Sequence, residues 1–500
     1  MRDPIRNRLL SFLLVLALVL PSCASENPET AAAAQEGAGQ AASSDGVPSA
    51  AEEQEAPEET EKPLWESLPE VTFDGWEFRF IENPRWADTG ATVLHGDVEE
   101  LDGEAINDAI YNRNRAVESR FDVKITTNPD SNVTNIIRKA VKSGDDVYAA
   151  AMTTPTEMLN ITLASGFRNL YALDGIVLSN PWYNQLQVEK FTIHDKLYFV
   201  MGDVSYSTLM FGACLIYNVS LGEREGLPYI HDVIMEGEWT IDKMYEMTEG
   251  VAKDLNGDGQ FREGDDQFVY AMNDSGNLMN FQYSAGEAFV KYDKEAGTFV
   301  DIFNVDRMQT IIDKMIRFYH DQNRGLQSVD YTALFNSGKV LLRSAYVGSC
   351  VNHREMEDTF TPIPYTKFDT AQEQYLSMMT GSVLPVGIPS TVGEADRAAL
   401  ILEALSELSA RDLNTAVYEQ VLAYQTMRNE DAYEILRLIH AGLIVDIGYL
   451  TLTGGGEPLK WIMGNLVVPA NNAVASFYEK HKKTVDKFYE KLNENFIKLE

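Results

Sequence analysis

The sequence predicts an α/β protein, and three observations carry that expectation. Strand-like and helix-like patterns alternate, the first five fall in β-α-β-α-β order, and 45% hydrophobic with 10% aromatic residues suffices for ordinary cores. Trp76-Glu77-Phe78-Arg79-Phe80-Ile81 alternates with period two, the mark of a strand with one buried face. Ala105 to Phe121 sets Ile106, Ala109, Ile110, Arg113, Val117 and Phe121 at helical spacing, and Val123-Lys124-Ile125-Thr126 returns to alternation. Val133, Ile136, Ile137, Ala140 and Val141 mark a second amphipathic helix, closing at Ser143-Gly144. Residues 147–152 then read as a buried strand. Strands joined by helices in this way lie parallel, with helices on both faces. Ligands bind such sheets beyond the carboxyl ends of the strands, which here fall near Asn83 to Asp88 and near Thr153-Thr154-Pro155.

A second α/β region begins at the continuous apolar run 209–217, which reads as a strand. Helices are expected over 240–253 and from Val305 to His320, with further strands from Val340 to Tyr346 and over 382–388. From Gly393 onward helices dominate, over 395–409, 414–424, 432–441 and 473–492. No internal repeat is visible.

The first residues concern location. Arg2, Arg6 and Arg8 precede an apolar run from Leu9 to Leu20 broken only by Ser11, and Pro21-Ser22-Cys23 follows. A basic start, a short apolar stretch and a small residue before the cut describe a secretory signal over residues 1–22, too short to span a membrane. Cys23 at the first mature position resembles the lipobox of bacterial lipoproteins, with Pro21 as a departure from that pattern; the resemblance implies a lipid on Cys23. The alternative is an ordinary cleaved signal with a chance cysteine nearby. Residues 23–63 are mostly Ala, Glu, Gln, Ser and Gly with no aromatic, so they lack the apolar surface that would offset the entropy of ordering them. They read as a disordered acidic tether with a reach of roughly 35 Å, leaving 64–500 as the folded body. A net charge of -35 argues against nucleic acid or anionic lipid as a partner. Cys214 and Cys350 either pair in an oxidising compartment or serve as small buried hydrophobes.

Successive landmarks then carry a family resemblance. Pro181-Trp182-Tyr183-Asn184, Phe191-Thr192-Ile193-His194-Asp195-Lys196-Leu197-Tyr198-Phe199, Gly202-Asp203-Val204-Ser205, Ile216-Tyr217-Asn218, Glu236-Gly237-Glu238-Trp239-Thr240-Ile241-Asp242-Lys243 and Asp254-Leu255-Asn256-Gly257-Asp258-Gly259 occur in one order. Arg428-Asn429-Glu430-Asp431 and Asp446-Ile447-Gly448 follow. With gaps, from about Phe73 to the C-terminus, the chain resembles the lipoprotein branch of extracellular solute-binding proteins, family 1, of Gram-positive type. The resemblance implies a periplasmic-binding-protein-like type II fold, two α/β lobes joined by a hinge with a helix-rich C-terminal part. Lobe 1 would cover about 70–200 plus returning segments, and lobe 2 about 209–380 plus part of the helical region. It also implies capture of a sugar or oligosaccharide in an interlobe cleft and delivery, as a lipid-anchored monomer on the extracellular face of the cell membrane, to the permease subunits of an ABC importer.

Asp254-Leu255-Asn256-Gly257-Asp258-Gly259-Gln260-Phe261-Arg262-Glu263-Gly264-Asp265 has the clearest chemistry. Oxygen donors at Asp254, Asn256 and Asp258, a glycine at the sixth position, the Gln260 carbonyl and a carboxylate at Asp265 match an EF-hand calcium loop. Asp265 is shorter than the usual Glu, so Glu263 or Asp266 are possible substitutes. The predicted helix over 240–253 leads in and a strand leads out, so the motif is half of an EF-hand and the expected Ca2+ is structural. The alternative is an Asx-rich turn held by its own side chains.

A carbohydrate cleft needs aromatic faces for the apolar side of a sugar ring and carboxylates or amides for its hydroxyls. Trp86 with Asp88, just after the first strand, and Asp203 with Tyr206, after another apolar stretch, have this character. Tyr346 ends a strand at which the resemblance implies an aromatic presented to the ligand. Each aromatic has a plain packing alternative. Trp239, before a strongly patterned helix, is assigned to packing, and Trp182 and Trp461 stay open between the two roles. The seven His show no pair at metal-ligand spacing, and neither a nucleophile elbow nor a Walker loop occurs. A non-enzymatic binder is expected; the alternative is a surface-tethered polysaccharide hydrolase, since a carboxylate pair is invisible in a sequence with 76 Asp and Glu.

Overall fold

The alternation at Trp76 to Ile81 does what period two dictates: Phe78 and Phe80 enter the core 4.9 Å apart, edge to face, while Glu77 and Arg79 pair outside at 2.6 Å. The structure, a computed structural model, describes residues 64–84, 96–379, 381–422, 429–452 and 457–499; Cys23, Trp86 and Asp88 lie outside them. In chain order the strands are β1 (Trp76–Glu82), β2 (Val123–Pro129), β3 (Ala150–Met152), β4 (Ala213–Asn218), β5 (Phe268–Met272), β6 (Val290–Asp293), β7 (Thr298–Asp301), β8 (Gly325–Gln327), β9 (Val340–Tyr346), β10 (Phe360–Ile363), β11 (Ser377–Met378), β12 (Val386–Gly387) and β13 (Leu443–Ile444).

The first sheet has the order β12-β3-β1-β2. β1 pairs parallel with both β2 and β3, with Phe80 opposite Thr127 and Ala150, and β12 closes the edge antiparallel to β3. The helices Ala105–Phe121 and Val133–Ser143 form as expected, the second ending where Gly144 takes φ +76 and donates its N–H to the Ala140 carbonyl. The second sheet is mixed, β10-β4-β9-β5-β8, with β5 parallel to β8 and β9 and with β4 antiparallel to β9 and β10. β4 and β5 are wholly buried, which explains their unbroken apolar sequences. Two stretches of chain run side by side between the sheets. The outgoing one bridges Val200 to Val386 near the first sheet, and bridges Gly212 to Met379 near the second.

Several elements differ from the sequence expectation. The run 209–217 is a short helix, Ser207–Met210, followed by β4; a fully apolar run hides its own period, and Gly212 turns the chain where a Cβ would meet Leu443 at 2.6 Å. The helix expected over 240–253 covers only Ile241–Met247, capped at its start by the Thr240 hydroxyl, which accepts from Lys243 N–H at 3.1 Å. It therefore ends well before Asp254 instead of entering the loop. Of 382–388 only Val386–Gly387 pairs, and the last helix reaches from Val474 to Ile497. Trp239 is fully buried, its indole N–H donating to the Pro364 carbonyl at 3.0 Å. Cys214 and Cys350 are free and buried.

Two buried charges fasten the parts. The Arg113 guanidinium, 1% exposed, donates to the carbonyls of Gly96 (3.2 Å) and Val204 (3.1 Å) and to the Ser409 hydroxyl (3.0 Å). Glu403, on the helix Ala395–Leu408, accepts from Tyr183 O–H (2.6 Å), Asn180 Nδ2 (2.5 Å) and Val177 N–H (3.2 Å). Burial raises the Glu403 carboxyl above its ordinary value, while these donors oppose the rise. Glu403→Ala leaves the buried Tyr183 hydroxyl without its acceptor, at a cost of about 1–3 kcal/mol, while water can reach the half-buried Asn180 and the exposed Val177. We expect denaturant unfolding to show a loss of about 1–3 kcal/mol, and an unchanged stability would show that water replaces the carboxylate.

Candidate functional site

Where β1, β2 and β3 end, apolar side chains give way to polar ones. Glu82, 0% exposed, accepts from Gly96 N–H at 3.3 Å and from the Thr127 hydroxyl of β2. Asn83 follows, its Nδ2 donating to Thr153 Oγ1 at 3.4 Å beyond β3, and the Thr153 hydroxyl in turn donates to Glu157. Carboxylates, a carboxamide and hydroxyls thus converge at the carboxyl edge of the sheet, the place where side chains of neighbouring parallel strands meet.

The outgoing crossing segment leads from this cluster to the second lobe. Tyr206 lies close enough to Glu82 for that charge, after the dominant effect of burial, to raise its hydroxyl well above the ordinary range. Five residues on, the Phe211 ring meets Tyr346 at 6.3 Å and 65°. Tyr346, at the end of β9, is pushed up to about 12, mainly by burial, with Tyr449 among its neighbours. Tyr449 stands edge to face with Trp461 (6.3 Å, 89°), and Lys460 Nζ sits 3.8 Å from the Tyr449 ring centre. Trp461 closes against Gly276, where a Cβ would come within 3.1 Å of the indole; Gly276 lies past β5, its N–H held by Asp274 at 2.7 Å. The helix Ile447–Thr451, which carries Tyr449, packs on the helix Pro155–Thr162, which carries Glu157. An aromatic wall and a polar cluster therefore meet across the crossing segments.

Asp446 fixes the aromatic side. It caps the helix Ile447–Thr451 by accepting Tyr449 N–H at 2.7 Å, and Tyr283 O–H approaches at 3.4 Å.

The sequence-predicted residues separate. Tyr206 and Tyr346 stand at this junction. Asp203 turns away from Tyr206, its Oδ1 3.2 Å from His440 Nε2 in a different cavity that also takes Trp182. Trp461, left open by the sequence, belongs to the aromatic wall. Glu82, Thr127, Phe211 and Tyr449 were not singled out, because each ends or interrupts a pattern that reads as core. In the loop at Asp254, Gly259 takes φ +78 as the sixth position requires. Asp254 accepts from Gly257 N–H (2.7 Å) and Gly259 N–H (2.6 Å), Asn256 from Asp258 N–H (2.9 Å), and Asp258 from Gln260 N–H (2.8 Å) while pairing with Arg262. The first, third and fifth donors thus fit a calcium loop. Glu263 is bonded to Ser328, and Asp266 is buried, accepting from Leu255 N–H (2.9 Å) and Arg262 N–H (2.7 Å). Neither substitutes for Asp265. Among the described residues no three His, Cys, Asp or Glu side chains form a metal cluster.

Burial raises Asp446 from its ordinary 3.8 to about 6, against the lowering effects of Tyr449 N–H, Lys190 and Tyr283. The folded chain holds this proton more tightly than the unfolded chain. The resulting stability is complete below about pH 3.8 and is lost as pH rises through about 6, a swing on the order of 3 kcal/mol. Asp446→Asn keeps an acceptor for Tyr449 N–H and should flatten that part of the stability profile in urea melts between about pH 4 and about pH 8; an unchanged slope would assign the titration elsewhere.

No protein-family profile matches the sequence, and no curated protein matches it either. Solved structures do. The chain is similar to UspC of Mycobacterium tuberculosis, with a TM-score of 0.53 and 11% identity over 82% of this chain and 100% of that one. It is similar to M. tuberculosis UgpB in complex with glycerophosphocholine, at 0.50 and 11% over 84% and 99%. A family 1 extracellular solute-binding protein of Alicyclobacillus acidocaldarius aligns at 0.49 and 15% over 85% and 99%. At such identities the likeness is one of fold, and it agrees with the two sheets and paired crossing segments described above. The chain has a periplasmic-binding-protein-like type II fold, shared with UspC and UgpB.

Proposed function

We propose that this protein is an extracellular substrate-binding protein, lipid-anchored through Cys23, that captures a sugar or oligosaccharide between its lobes and delivers it intact to the permease subunits of an ABC importer. The observation that carries the reading is the packing of the helix bearing Tyr449, beside Tyr346 and Trp461, on the helix bearing Glu157, next to Thr153 and Asn83. Sugar rings present an apolar face and a girdle of hydroxyls, and these two surfaces match them in kind. A fold neighbour crystallised with glycerophosphocholine supports a solute-binding role. Among the described residues no helix is long and apolar enough to cross a membrane.

The test is thermal unfolding of residues 64–500 against mono- and oligosaccharides, with each compound analysed afterwards for breakdown. A ligand-specific rise in Tm with the compound recovered intact is expected. Tyr346→Ala and Trp461→Ala should each weaken binding about tenfold or more, by removing a ring worth about 1.5 kcal/mol or more. Breakdown products would favour a surface-tethered hydrolase, and the absence of any shift with saccharides would reject the ligand class.

The reading includes a structural Ca2+ held by Asp254, Asn256, Asp258, the Gln260 carbonyl and Asp265, drawing Asp258 away from Arg262. Calcium added to EDTA-treated protein should raise Tm, and Asp254→Asn should abolish the rise. An unchanged Tm in the parent protein would leave the loop as a self-held Asx turn.

A further inference from the structure

We infer that a second small-molecule site, distinct from the aromatic wall and polar cluster described above, lies beside the crossing segments and takes a zwitterion of amino-acid type. Its ammonium group would rest on Asp203, its carboxylate on Arg437, and its apolar body against Trp182 and Tyr418. The cavity there measures about 310 Å3, within the range of small-molecule pockets.

Its walls come from both lobes. Residues 181–186 are tied to the first lobe by Glu403, which holds Tyr183, and by the bridge from Tyr183 to Gly202. The opposite wall is the helix Asn429–Ala441, which packs on β10 and is tied to the second lobe by Tyr229–Asp431 (2.5 Å) and His231–Glu434 (3.0 Å). A molecule touching both walls is fully held at only one lobe spacing, so occupancy would bias opening.

The charges lining the cavity are incompletely matched. Asp203 is 6% exposed, and His440 Nε2 at 3.2 Å is its one ion-pair partner among the described residues. The other His440 nitrogen is engaged by the Tyr418 hydroxyl at 2.9 Å, which fixes the imidazole from both sides. The Arg437 guanidinium lies 4.6 Å over the Tyr433 ring, and no carboxylate of the described residues pairs with it. The Tyr418 hydroxyl senses both, since after burial Asp203 raises its pKa and Arg437 opposes the rise. The buried Asp203 carboxylate attracts a cation, the solvent-exposed Arg437 guanidinium at the cavity rim attracts a carboxylate, and a short backbone bearing both charges bridges the two. A neutral sugar can hydrogen-bond to both groups but neutralises neither charge.

Calorimetric titration of the protein with L-phenylalanine, phenethylamine and 3-phenylpropionate tests the inference, because the last two each lack one charge. Phenylalanine should bind, and each half-ligand should bind about tenfold more weakly or worse, the loss of one charge-assisted hydrogen bond. Asp203→Asn and Arg437→Met should each reproduce that loss. Ala441→Trp, which fills the cavity from its exposed side and leaves the charges in place, should abolish binding. Tyr346→Ala in the cleft should leave it unchanged, which separates this site from the carbohydrate reading. The inference is overturned if phenylalanine gives no heat, if its binding survives Asp203→Asn, Arg437→Met and Ala441→Trp, or if Tyr346→Ala removes it.

Discussion

A single buried guanidinium holds the architecture of the cleft in register. Arg113 rises from the third turn of a helix on the first sheet, yet its donors end on the Gly96 carbonyl, on the outgoing crossing segment (Val204) and on the C-terminal helical region (Ser409). Burial lowers its pKa to about 10, so it stays charged at any physiological pH, and the nearby charges of Asp97 and Glu82 offset part of the cost of removing it from water. A hydrophobic residue at 113 would fill the volume but take the Arg113 donors from the Val204 carbonyl, the Ser409 hydroxyl and Asn114 Oδ1, while Asn114 Nδ2 would still serve the Gly96 carbonyl.

The same economy recurs on the second lobe. Asp446 starts a helix of only five residues, too short to be stable alone, and so sets where Tyr449 stands. Its perturbed proton affinity and that of Glu403 share one cause, a carboxylate surrounded by tyrosines and backbone rather than by water. These polar groups contribute less to total stability than the apolar sheets do. They decide which of several similar packings is adopted.

Much of this was legible from residue order. The two helices Ala105–Phe121 and Val133–Ser143, Val305–His320 and β1 lie where periodicity puts them, because each alternates between buried and exposed positions. Legibility failed where burial is complete on all sides. The run 209–217 is apolar whether helical or extended, so only Gly212 marked the change. The site was half legible for a related reason. The rule that ligands gather beyond strand ends located Asn83 and Thr153, but Tyr449 and Phe211 come from segments joined to them only by tertiary packing. Asp203 and Tyr206, three positions apart, were read as one constellation; the turn at Ser205 and the short helix Ser207–Met210 send them to opposite sides of the crossing segment.

The edge of the first sheet has a consequence for how the chain acquires its shape. β3 meets its outer partner only when β12 arrives, after the entire second sheet has been laid down between Met152 and Val386. Pairings so distant along the chain are slow to form, because a long loop must close before any contact rewards it. Until the last third of the polypeptide emerges, the first lobe has an open flank and remains a loose, threadable chain. The fold therefore hardens late, once the strand that seals its first sheet has joined it.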